Sequence, residues 1–371
     1  MNYQIITQFN DLERVCNQAR QTEVVMLDTE FVRTRTYYPQ LGLIQLYDGE
    51  TLSLIDPTVF DDMSPFEALL KDSSVLKVLH ACGEDLEVFH NSFGTLPFPM
   101  IDTQIMAAFL GHGLSTGFAS LVNEYVNVEL DKSESRTDWL ARPLSEKQLD
   151  YAAADVFYLL PLYNTLVEKL DKTPWSDAAL DESARLAAKR IKVINADTVY
   201  RDIKAAWQLS PKQLAILRPL AAWRYKEALK RDLALNFVFK EGDLFEVAKR
   251  GITSYRALEE SDMDIRSVRR HGQKLVSMVK LAKQTPSSEW PESVDRIVDL
   301  PGYKQDFKKI KDVVKEVAQK TGLATEFLAS KKQINQYLRW VKVEQRNVES
   351  LPDMLTGWRK ALFEAQLNII L

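Results

Sequence analysis

The first half of the chain alternates short apolar runs with longer amphipathic stretches. The apolar runs are typical of buried strands and cover residues 24–27, 41–47, 51–55 and 75–79. The helical stretches begin near Gly83 and return over 103–110 and 145–163. Asp48-Gly49 indicates a hairpin turn, Asp102 is a suitable helix N-cap, and Ser145 with Gln148 forms a capping-box pattern. This mixture predicts an α/β domain with a mixed sheet.

From about residue 178 onward the strand signals nearly vanish, and the rest of the chain is helical with polar interruptions. Within it, residues 233–238 align with residues 323–328, and the spacing between the two copies holds upstream and downstream without a gap. Such an internal repeat predicts two similar helical domains, joined by a turn-rich linker at 285–291. The expected domains are therefore 1–200, 201–288 and 289–371.

The composition is that of an ordinary globular protein. Of its 371 residues, 46% are hydrophobic and 27% are charged. No apolar run approaches the roughly 18 residues of a membrane span, and the first residues lack the features of a signal peptide. Cys16 and Cys82 have no metal-ligand spacing, which predicts two reduced thiols. We therefore expect a cytoplasmic monomer with no membrane partner and no obligate protein partner.

Charge is distributed unevenly along the chain. The net charge is −4, yet residues 1–200 carry 16 basic and 30 acidic side chains, whereas residues 201–371 carry 32 basic and 22 acidic ones. An acidic half can hold cations, and a basic half can contact phosphate. Solvated surface charge explains either half taken alone. The uneven charge indicates two separate functions only because acidic motifs are also present in the first half.

Asp28 and Glu30 follow a wholly apolar strand. Residues i and i+2 of a strand point to the same face, so the two carboxyl groups lie side by side. Their repulsion raises one pKa unless a cation neutralises it, and hard oxygen ligands suit Mg²⁺ or Mn²⁺. A charged strand end that faces solvent is the alternative for so short a motif.

Two more acidic positions fall on predicted helices. Tyr151 and Asp155 are four residues apart and therefore share one helix face. The three alanines between them allow another element to approach closely. Asp85 lies in the first turn of a helix, where the helix dipole alone would favour an acid. The alternatives are a core tyrosine beside an exposed Asp155, and a purely helix-stabilising Asp85.

These residues resemble the three exonuclease motifs of the DEDD superfamily, in its tyrosine-containing branch, and most closely the ribonuclease D family. The resemblance extends to three flanking segments, Leu27–Leu46, Ile101–Gln104 and Asp131–Leu144. The helical repeats resemble the helicase-and-ribonuclease-D C-terminal (HRDC) domain, which binds nucleic acid. Essentially the whole chain is covered, with no departure at a catalytic position. The resemblance implies an α/β mixed-sheet, ribonuclease H-like exonuclease domain followed by two small all-α helical domains.

The resemblance also implies a 3′→5′ exoribonuclease that releases 5′-mononucleotides from the 3′ end. It implies two divalent metal ions, Mg²⁺ or Mn²⁺, held by Asp28, Glu30, Asp85 and Asp155. Such an ion pair stabilises both the attacking and the leaving oxygen of a phosphodiester. Tyr151, a neutral phenol, would orient the attacking water. The expected substrates are transfer RNA precursors and other small structured RNAs.

Substrate contacts are expected close to the first motif. Family precedent places Thr29 and Phe31 near the terminal nucleotide, although Phe31 points to the strand face opposite Glu30, which favours core packing. Arg33, Arg35, Tyr37 and Tyr38 alternate cation and ring in a predicted loop, which suits phosphate contact and base stacking. A solvated loop with partly buried tyrosines is the alternative.

Two basic clusters in the helical half can neutralise an RNA backbone. They are Arg266, Arg269, Arg270, His271 and Lys274, and then Lys304, Lys308, Lys309, Lys311 and Lys315. For any single residue, a solvated helix face is the alternative. Together the clusters predict that a chain cut near Asp202 keeps its chemistry and binds structured RNA less tightly.

Two other functions compete with this interpretation. The same carboxylates serve DNA exonucleases of the proofreading and Werner types, although the flanking segments favour RNA. A catalytically inactive, nucleic-acid-binding scaffold is the second competitor. It would not need all five of the residues Asp28, Glu30, Asp85, Tyr151 and Asp155.

Overall fold

The computed structural model describes residues 1–131, 133–134, 136–191 and 194–370. Lys132 and Ser135, in one of the flanking segments above, lie outside the described residues. The strands are β1 (Gln4–Ile6), β2 (Val24–Val32), β3 (Gln40–Tyr47), β4 (Leu52–Ile55), β5 (Leu76–Leu79) and β6 (Met100–Asp102). The helices between and after them are α1 (Phe9–Ala19), α2 (Ser64–Lys71), α3 (Gly83–Phe93), α4 (Thr103–Phe109), α5 (Phe118–Val126), α6 (Glu146–Phe157), α7 (Leu159–Leu170) and α8 (Ser176–Arg190).

The C-terminal half is helical throughout its described length. Its first part contains α9 (Pro211–Arg231), α10 (Leu235–Val238), α11 (Glu241–Arg250), α12 (Tyr255–Glu259) and α13 (Ile265–Ala282). Its second part contains α14 (Tyr303–Thr321), α15 (Thr325–Leu328), α16 (Lys331–Lys342) and α17 (Gly357–Ile370). Because α10 and α15, and also α11 and α16, begin at the predicted spacing, the internal repeat is present in the structure.

The six strands form one mixed sheet in the order β1-β4-β3-β2-β5-β6. Strands β2, β3 and β4 pair in antiparallel fashion, whereas β1, β5 and β6 run parallel to their neighbours. The predicted hairpin joins β3 to β4, and Oδ1 of Asp48 accepts hydrogen bonds from the N–H groups of Glu50 and Thr51. The predicted mixed sheet is confirmed.

The two faces of the sheet carry different helices. Val25, Leu27 and Ile44 pack in one apolar core with side chains of α1, α2 and α3. Alternation along β2 therefore turns Asp28 and Glu30 to the other face, and α6 contacts β2, β3 and β4. The acids of β2 thus lie on the sheet face opposite this apolar core.

The predicted helix 145–163 is wrong in its extent. Helix α6 ends at Phe157, and a separate helix, α7, continues to Leu170. Pro161 lacks an N–H group and cannot bond to the carbonyl of Phe157, so a continuous helix would lack a hydrogen bond there. The capping box of Ser145 and the N-cap role of Asp102 are both confirmed.

The described chain divides into two compact units. The first contains residues 1–32, the described residues of 39–191, and residues 301–370. The second contains Arg33–Tyr38 and residues 194–300. The second helical repeat therefore belongs to the same unit as the sheet, while the first repeat forms a unit with a short loop from the N-terminal part. The domain boundaries given above stay a prediction.

An aromatic cluster joins the second repeat to the sheet-containing part of the first unit. The ring of Phe109 lies 4.7 Å from that of Phe327 and 4.8 Å from that of Trp358, centroid to centroid. Trp175 stacks on Phe109 at 5.7 Å. Among the residues that the structure describes, no helix has both the length and the apolarity that crossing a membrane requires.

Candidate active site

The end of β2 is shaped by its pairing with β3. Asp28 lies opposite Gln45 and Glu30 opposite Leu43, and the register then shifts by one residue, at Gly42. A Cβ atom at Gly42 would lie 2.5 Å from the carbonyl oxygen of Trp139, so a larger residue would clash there. The lack of a side chain at Gly42 therefore lets the segment around Trp139 approach the strand beside the acids.

Three of the four predicted acids meet at this strand end. Carboxylate oxygens of Asp28, Glu30 and Asp155 lie within 4.8 Å of one another. The hydroxyl of Tyr151 donates to Asp155, as their spacing on α6 predicts. Asp85 lies outside this trio, in the first turn of α3, and accepts a hydrogen bond from the hydroxyl of Thr29. The structure thus gives a cluster of three acids with the fourth beside it.

The pKa values of all four acids are raised, chiefly because the carboxyl groups are buried. Burial and then the charges of Asp85, Asp155 and Glu30 raise the pKa of Asp28 well above its ordinary value. Burial and the charges of Asp155 and Asp85 raise the pKa of Glu30 to about 9. Burial raises the pKa of Asp155 to about 7 and that of Asp85 to about 6, although their partners Tyr151 and Thr29 oppose the shift.

The donor atoms of this cluster suit a hard divalent cation. Its ligand groups are all carboxylates, which are the preferred ligands of Mg²⁺ and Mn²⁺. The thiol of Cys82 donates to Asp102 and Nδ1 of His80 is hydrogen-bonded to Thr103, whereas Nε2 of the same imidazole is buried without a partner among the described residues. A cation would also offset the desolvation and the mutual repulsion that together raise the acids' pKa values.

The predicted substrate residues are divided between the two compact units. Thr29 is buried and its hydroxyl is engaged by Asp85, whereas Phe31 is half-buried. Arg33, Arg35 and Tyr37 lie in the loop that groups with the first helical repeat, where Arg35 stacks over Phe237 at 5.2 Å. Their contact with substrate stays a prediction.

One member of the predicted basic clusters does not belong to the surface. His271 is 7% exposed, its ring packs 5.1 Å from that of Trp223, and burial lowers its pKa. Its inclusion in a phosphate-binding cluster is therefore wrong, since a buried neutral imidazole offers no exposed positive charge. The periodicity of α13 turns this position inward, and that signal is present in the sequence.

Sequence reasoning missed the roles of two further residues near the site. Gln45 is a polar residue in the middle of an apolar strand, which is a readable signal of a special role. Asp102 does more than cap α4, because its carboxylate also accepts hydrogen bonds from the N–H groups of Ala81 and Cys82. Ala81 has a left-handed backbone, with φ of 52°, just before the helix that carries Asp85. Only the fold brings these segments together.

Comparison with known proteins covers the whole chain. A family model described as a 3′-5′ exonuclease matches residues 3–171, an HRDC domain model matches residues 213–279, and a model of the C-terminal HRDC domain of ribonuclease D matches residues 301–367. Ribonuclease D of Serratia proteamaculans is 51% identical, over 100% of this chain and 99% of that relative. Ribonuclease D of Escherichia coli is 48% identical, over 100% and 99% respectively.

A solved structure agrees with these sequence matches. The crystal structure of Escherichia coli RNase D, described as an exoribonuclease involved in structured RNA processing, has a TM-score of 0.96 at 48% identity. It covers 100% of this chain and 98% of that one. The predicted fold class and activity are thereby confirmed, and the five predicted catalytic positions all fall within the region that the exonuclease model matches. The chain belongs to the ribonuclease D family of 3′→5′ exoribonucleases.

Proposed function

We propose that Asp28, Glu30, Asp85 and Asp155 hold two divalent cations, Mg²⁺ or Mn²⁺, at which the 3′-terminal phosphodiester of an RNA is hydrolysed. The observation that carries this proposal is the trio of half-buried acids whose carboxylate oxygens lie within 4.8 Å of one another. Burial, and then the charges of neighbouring acids, raise the pKa values of the trio, and a bound cation would offset both effects.

The side chains of the chain have separate tasks in this proposal. When bound, the cations neutralise charge at the phosphate and lower the pKa of the attacking water. Tyr151 orients that water through its hydroxyl, which stays protonated because burial and the neighbouring acids raise its pKa. Thr29 holds the carboxylate of Asp85 in position. The polypeptide thus supplies the ligands, the orientation of the water and the exclusion of bulk solvent.

The proposed substrates are transfer RNA precursors and other small structured RNAs, cut from a free 3′ hydroxyl into 5′-mononucleotides by a cytoplasmic monomer. The Escherichia coli relative is described as acting in structured RNA processing, which supports this choice. The loop with Arg33, Arg35 and Tyr37 is proposed to contact the RNA backbone and bases, and Thr29 and Phe31 to lie near the terminal nucleotide.

The test is single-turnover digestion of a 3′-extended transfer RNA precursor, with Mg²⁺ and with Mn²⁺. We expect Asp28→Asn, Glu30→Gln, Asp85→Asn and Asp155→Asn each to abolish hydrolysis while the fold is retained, because ligands of one metal site act as a unit. Tyr151→Phe keeps the ring and removes only the hydroxyl, so its rate should fall less. Asp48→Asn, in the β3–β4 turn, is the control.

Substrate variants of the same assay separate the competing functions. An RNA that ends in a 3′ phosphate is expected to resist, since extra charge enters an acidic site. Equal cleavage of a matched DNA oligomer would favour a DNA exonuclease. A wild-type protein that binds RNA but releases no mononucleotide with either metal would favour the inactive scaffold.

A further inference from the structure

Gln45 is the polar side chain of the site whose environment is least explained. It is 0% exposed, and neither its amide nitrogen nor its amide oxygen has a hydrogen-bond partner in the part of the chain that the structure describes. Leaving a buried amide unpaired carries a desolvation cost, and most buried polar groups are paired. Retaining a polar side chain at this cost indicates that the amide serves a function at the site.

The register of the sheet places Gln45 directly beside a proposed metal ligand. Asp28 is its cross-strand partner in the β2–β3 pair, so both side chains leave the same face of the sheet. The Cβ atoms of such a pair are about 4.5–5.5 Å apart, which is within reach of a glutamine amide. The buried amide and the carboxylate are therefore neighbours, and no hydrogen bond joins them in the structure.

Two of the other three acids show what a side-chain donor does for a carboxylate. Asp155 receives a hydrogen bond from the hydroxyl of Tyr151, and Asp85 receives one from the hydroxyl of Thr29. Asp28 has the backbone N–H of Thr29, but no side-chain donor is found for it among the described residues. Carboxylates that ligate metals are generally hydrogen-bonded by such outer donors, which fix the ligand's orientation.

We propose that Gln45 is a positioning residue of the metal site, whose amide N–H donates to the carboxylate of Asp28 when cations are bound. This inference rests on the proposed function, since it takes Asp28 as a ligand. By holding one oxygen of Asp28, the amide directs the other oxygen towards the cation. A neutral donor suits this position, because it satisfies the carboxylate without competing with the cation as a charged side chain would.

A structural role is the competing explanation. The indole Nε1 of Trp139 is also buried without a partner among the described residues, and its ring lies 6.1 Å from that of Tyr151. A permanently buried water between Gln45 and Trp139 would satisfy both groups independently of any metal. In the positioning role, loss of the amide weakens binding of the cation. In the structural role, loss of the amide changes the stability of the protein equally with and without the cation.

The experiment compares Gln45→Met with wild type, in the full chain, with and without Mn²⁺. Methionine has a similar size and no amide, so the metal-free protein should gain about 2 °C or more in Tm when an unpaired polar group is removed. Calorimetric titration with Mn²⁺ alone should give a Kd raised about 10–100-fold. At subsaturating metal, kcat should fall while the KM for RNA stays the same.

Gln333→Met is the matched control. Gln333 completes the capping box of α16, so its amide is already paired. Its replacement should lower Tm equally with and without Mn²⁺ and leave the Mn²⁺ affinity unchanged. An unchanged Mn²⁺ affinity in Gln45→Met would overturn the positioning role. A decrease in Tm of equal size in both states would do the same and would favour the buried water.

Asp28→Asn is titrated with Mn²⁺ in the same experiment. This variant distinguishes a wrong ligand set from a wrong role for Gln45. If Asp28→Asn binds Mn²⁺ as tightly as wild type, the proposed ligand set is wrong and the role of Gln45 falls with it. If Asp28→Asn binds Mn²⁺ more weakly while Gln45→Met keeps the wild-type affinity, only the inference about Gln45 is wrong. The expected result is weaker binding in both variants, with a rise in metal-free Tm for Gln45→Met.

Discussion

The two helical repeats each bury an arginine against carbonyl groups at the end of their short middle helix. In the first repeat, Arg224 is 5% exposed and donates to the carbonyl of Phe239 at 2.7 Å. In the second, Arg359 is 4% exposed and donates to the carbonyl of Leu328 at 3.0 Å. In both repeats an arginine donates hydrogen bonds to the carbonyl groups at the C-terminus of the short helix. The arginines come from different helices, α9 and α17.

The carboxylates that neutralise these arginines lie in different places. Arg224 is 3.9 Å from Glu241, within its own repeat. Arg359 is 2.7 Å from Glu182, on α8 of the exonuclease domain, and Trp358 donates to the same carboxylate. A buried pair that joins two domains makes the stability of one depend on the other. The second repeat is therefore a structural part of the exonuclease unit.

The first repeat instead holds the loop that follows the D-x-E strand. Oδ1 of Asp232 accepts hydrogen bonds from the N–H groups of Tyr37 and Tyr38, at 3.0 and 2.9 Å. The N–H of Ala234 donates to the carbonyl of Arg35 at 2.8 Å. Two copies of one sequence pattern have thus acquired different tasks, through the few side chains that contact the rest of the chain.

Truncation gives the largest expected difference between the repeats. The sequence predicts that a chain cut near Asp202 keeps its chemistry, but such a cut also removes the second repeat. A chain that ends at Leu300 uncovers Phe109 and removes the 2.7 Å ion pair of Glu182 with Arg359. We expect the unfolding free energy of the exonuclease domain to fall by about 5 kcal/mol or more, which thermal unfolding and light scattering measure.

The matched chain replaces residues 211–282 with a flexible linker and retains the second repeat. The exonuclease domain of that chain should keep its melting temperature. An equal decrease in stability in the two chains would remove the distinction between the repeats.

Substitution of the two arginines sharpens the same comparison. Arg359→Ala removes the cation that lies 2.7 Å from the half-buried Glu182, leaving Arg185 at 4.0 Å, and should destabilise the exonuclease unit by about 3 kcal/mol. Arg224→Ala should lower only the stability of the unit that contains the first repeat. Hydrogen exchange resolved along the chain distinguishes the two. Lys360→Ala, at an exposed neighbour on α17, should change stability by less than about 0.5 kcal/mol, and equally reduced protection of both units in Arg359→Ala would contradict the prediction.

The stability contributed by the interface between the second repeat and α8 should also depend on pH. Burial opposes ionisation of Glu182, but the hydrogen bond and charge of Arg359 outweigh it and lower the pKa of Glu182. The stability from this acid is therefore fully present above its unfolded pKa and disappears as pH falls through the folded one. Glu182→Gln should be less stable by about 1–3 kcal/mol at pH 7 and show a flatter decline below about pH 5, near the ordinary glutamate pKa. Parallel acid-unfolding curves for wild type and variant would exclude this role.

The loop held by the first repeat offers a local test. Asp232→Ala removes the acceptor for two N–H groups and should cost about 1–2 kcal/mol, confined to the unit with the first repeat. Trypsin should then cut after Arg33 or Arg35 faster than in wild type. Asp262→Ala, at an exposed position between α12 and α13, serves as control. An unchanged cleavage rate would show that Asp232 does not order the loop.

The smallest expected difference between the repeats is in how strongly the affinity for RNA depends on salt. Arg269 and Arg270 on α13 are exposed, and neither has an ion pair among the described residues, whereas Lys309 and Lys315 on α14 pair with aspartates of their own helix. We expect Arg269→Gln with Arg270→Gln to reduce the slope of log affinity against log salt by about 0.7–0.9 for each phosphate that the variant no longer neutralises. Lys309→Gln with Lys315→Gln should change it less. The opposite order would assign the RNA contact to the second repeat.

Local patterns predict well what depends on neighbours in the chain. The i and i+2 spacing of Asp28 and Glu30, and the i and i+4 spacing of Tyr151 and Asp155, each put two groups on one face, as the structure has them. The capping box of Ser145 is readable for the same reason. The helix break between Phe157 and Leu159 is harder to predict, because a single proline stands within a long periodic stretch.

The sequence by itself determined the elements, the repeat and the faces on which the chemical groups lie, because these follow from spacing along one strand or helix. Only the tertiary structure decided which faces meet. It brought β2 and α6 together so that Asp155 joins Asp28, and it placed Gln45 opposite Asp28 through the register of the sheet. It also formed the ion pair between Glu182 and Arg359, through which the second repeat supports the exonuclease domain. Such contacts depend on packing between residues far apart in the chain, which no local pattern encodes.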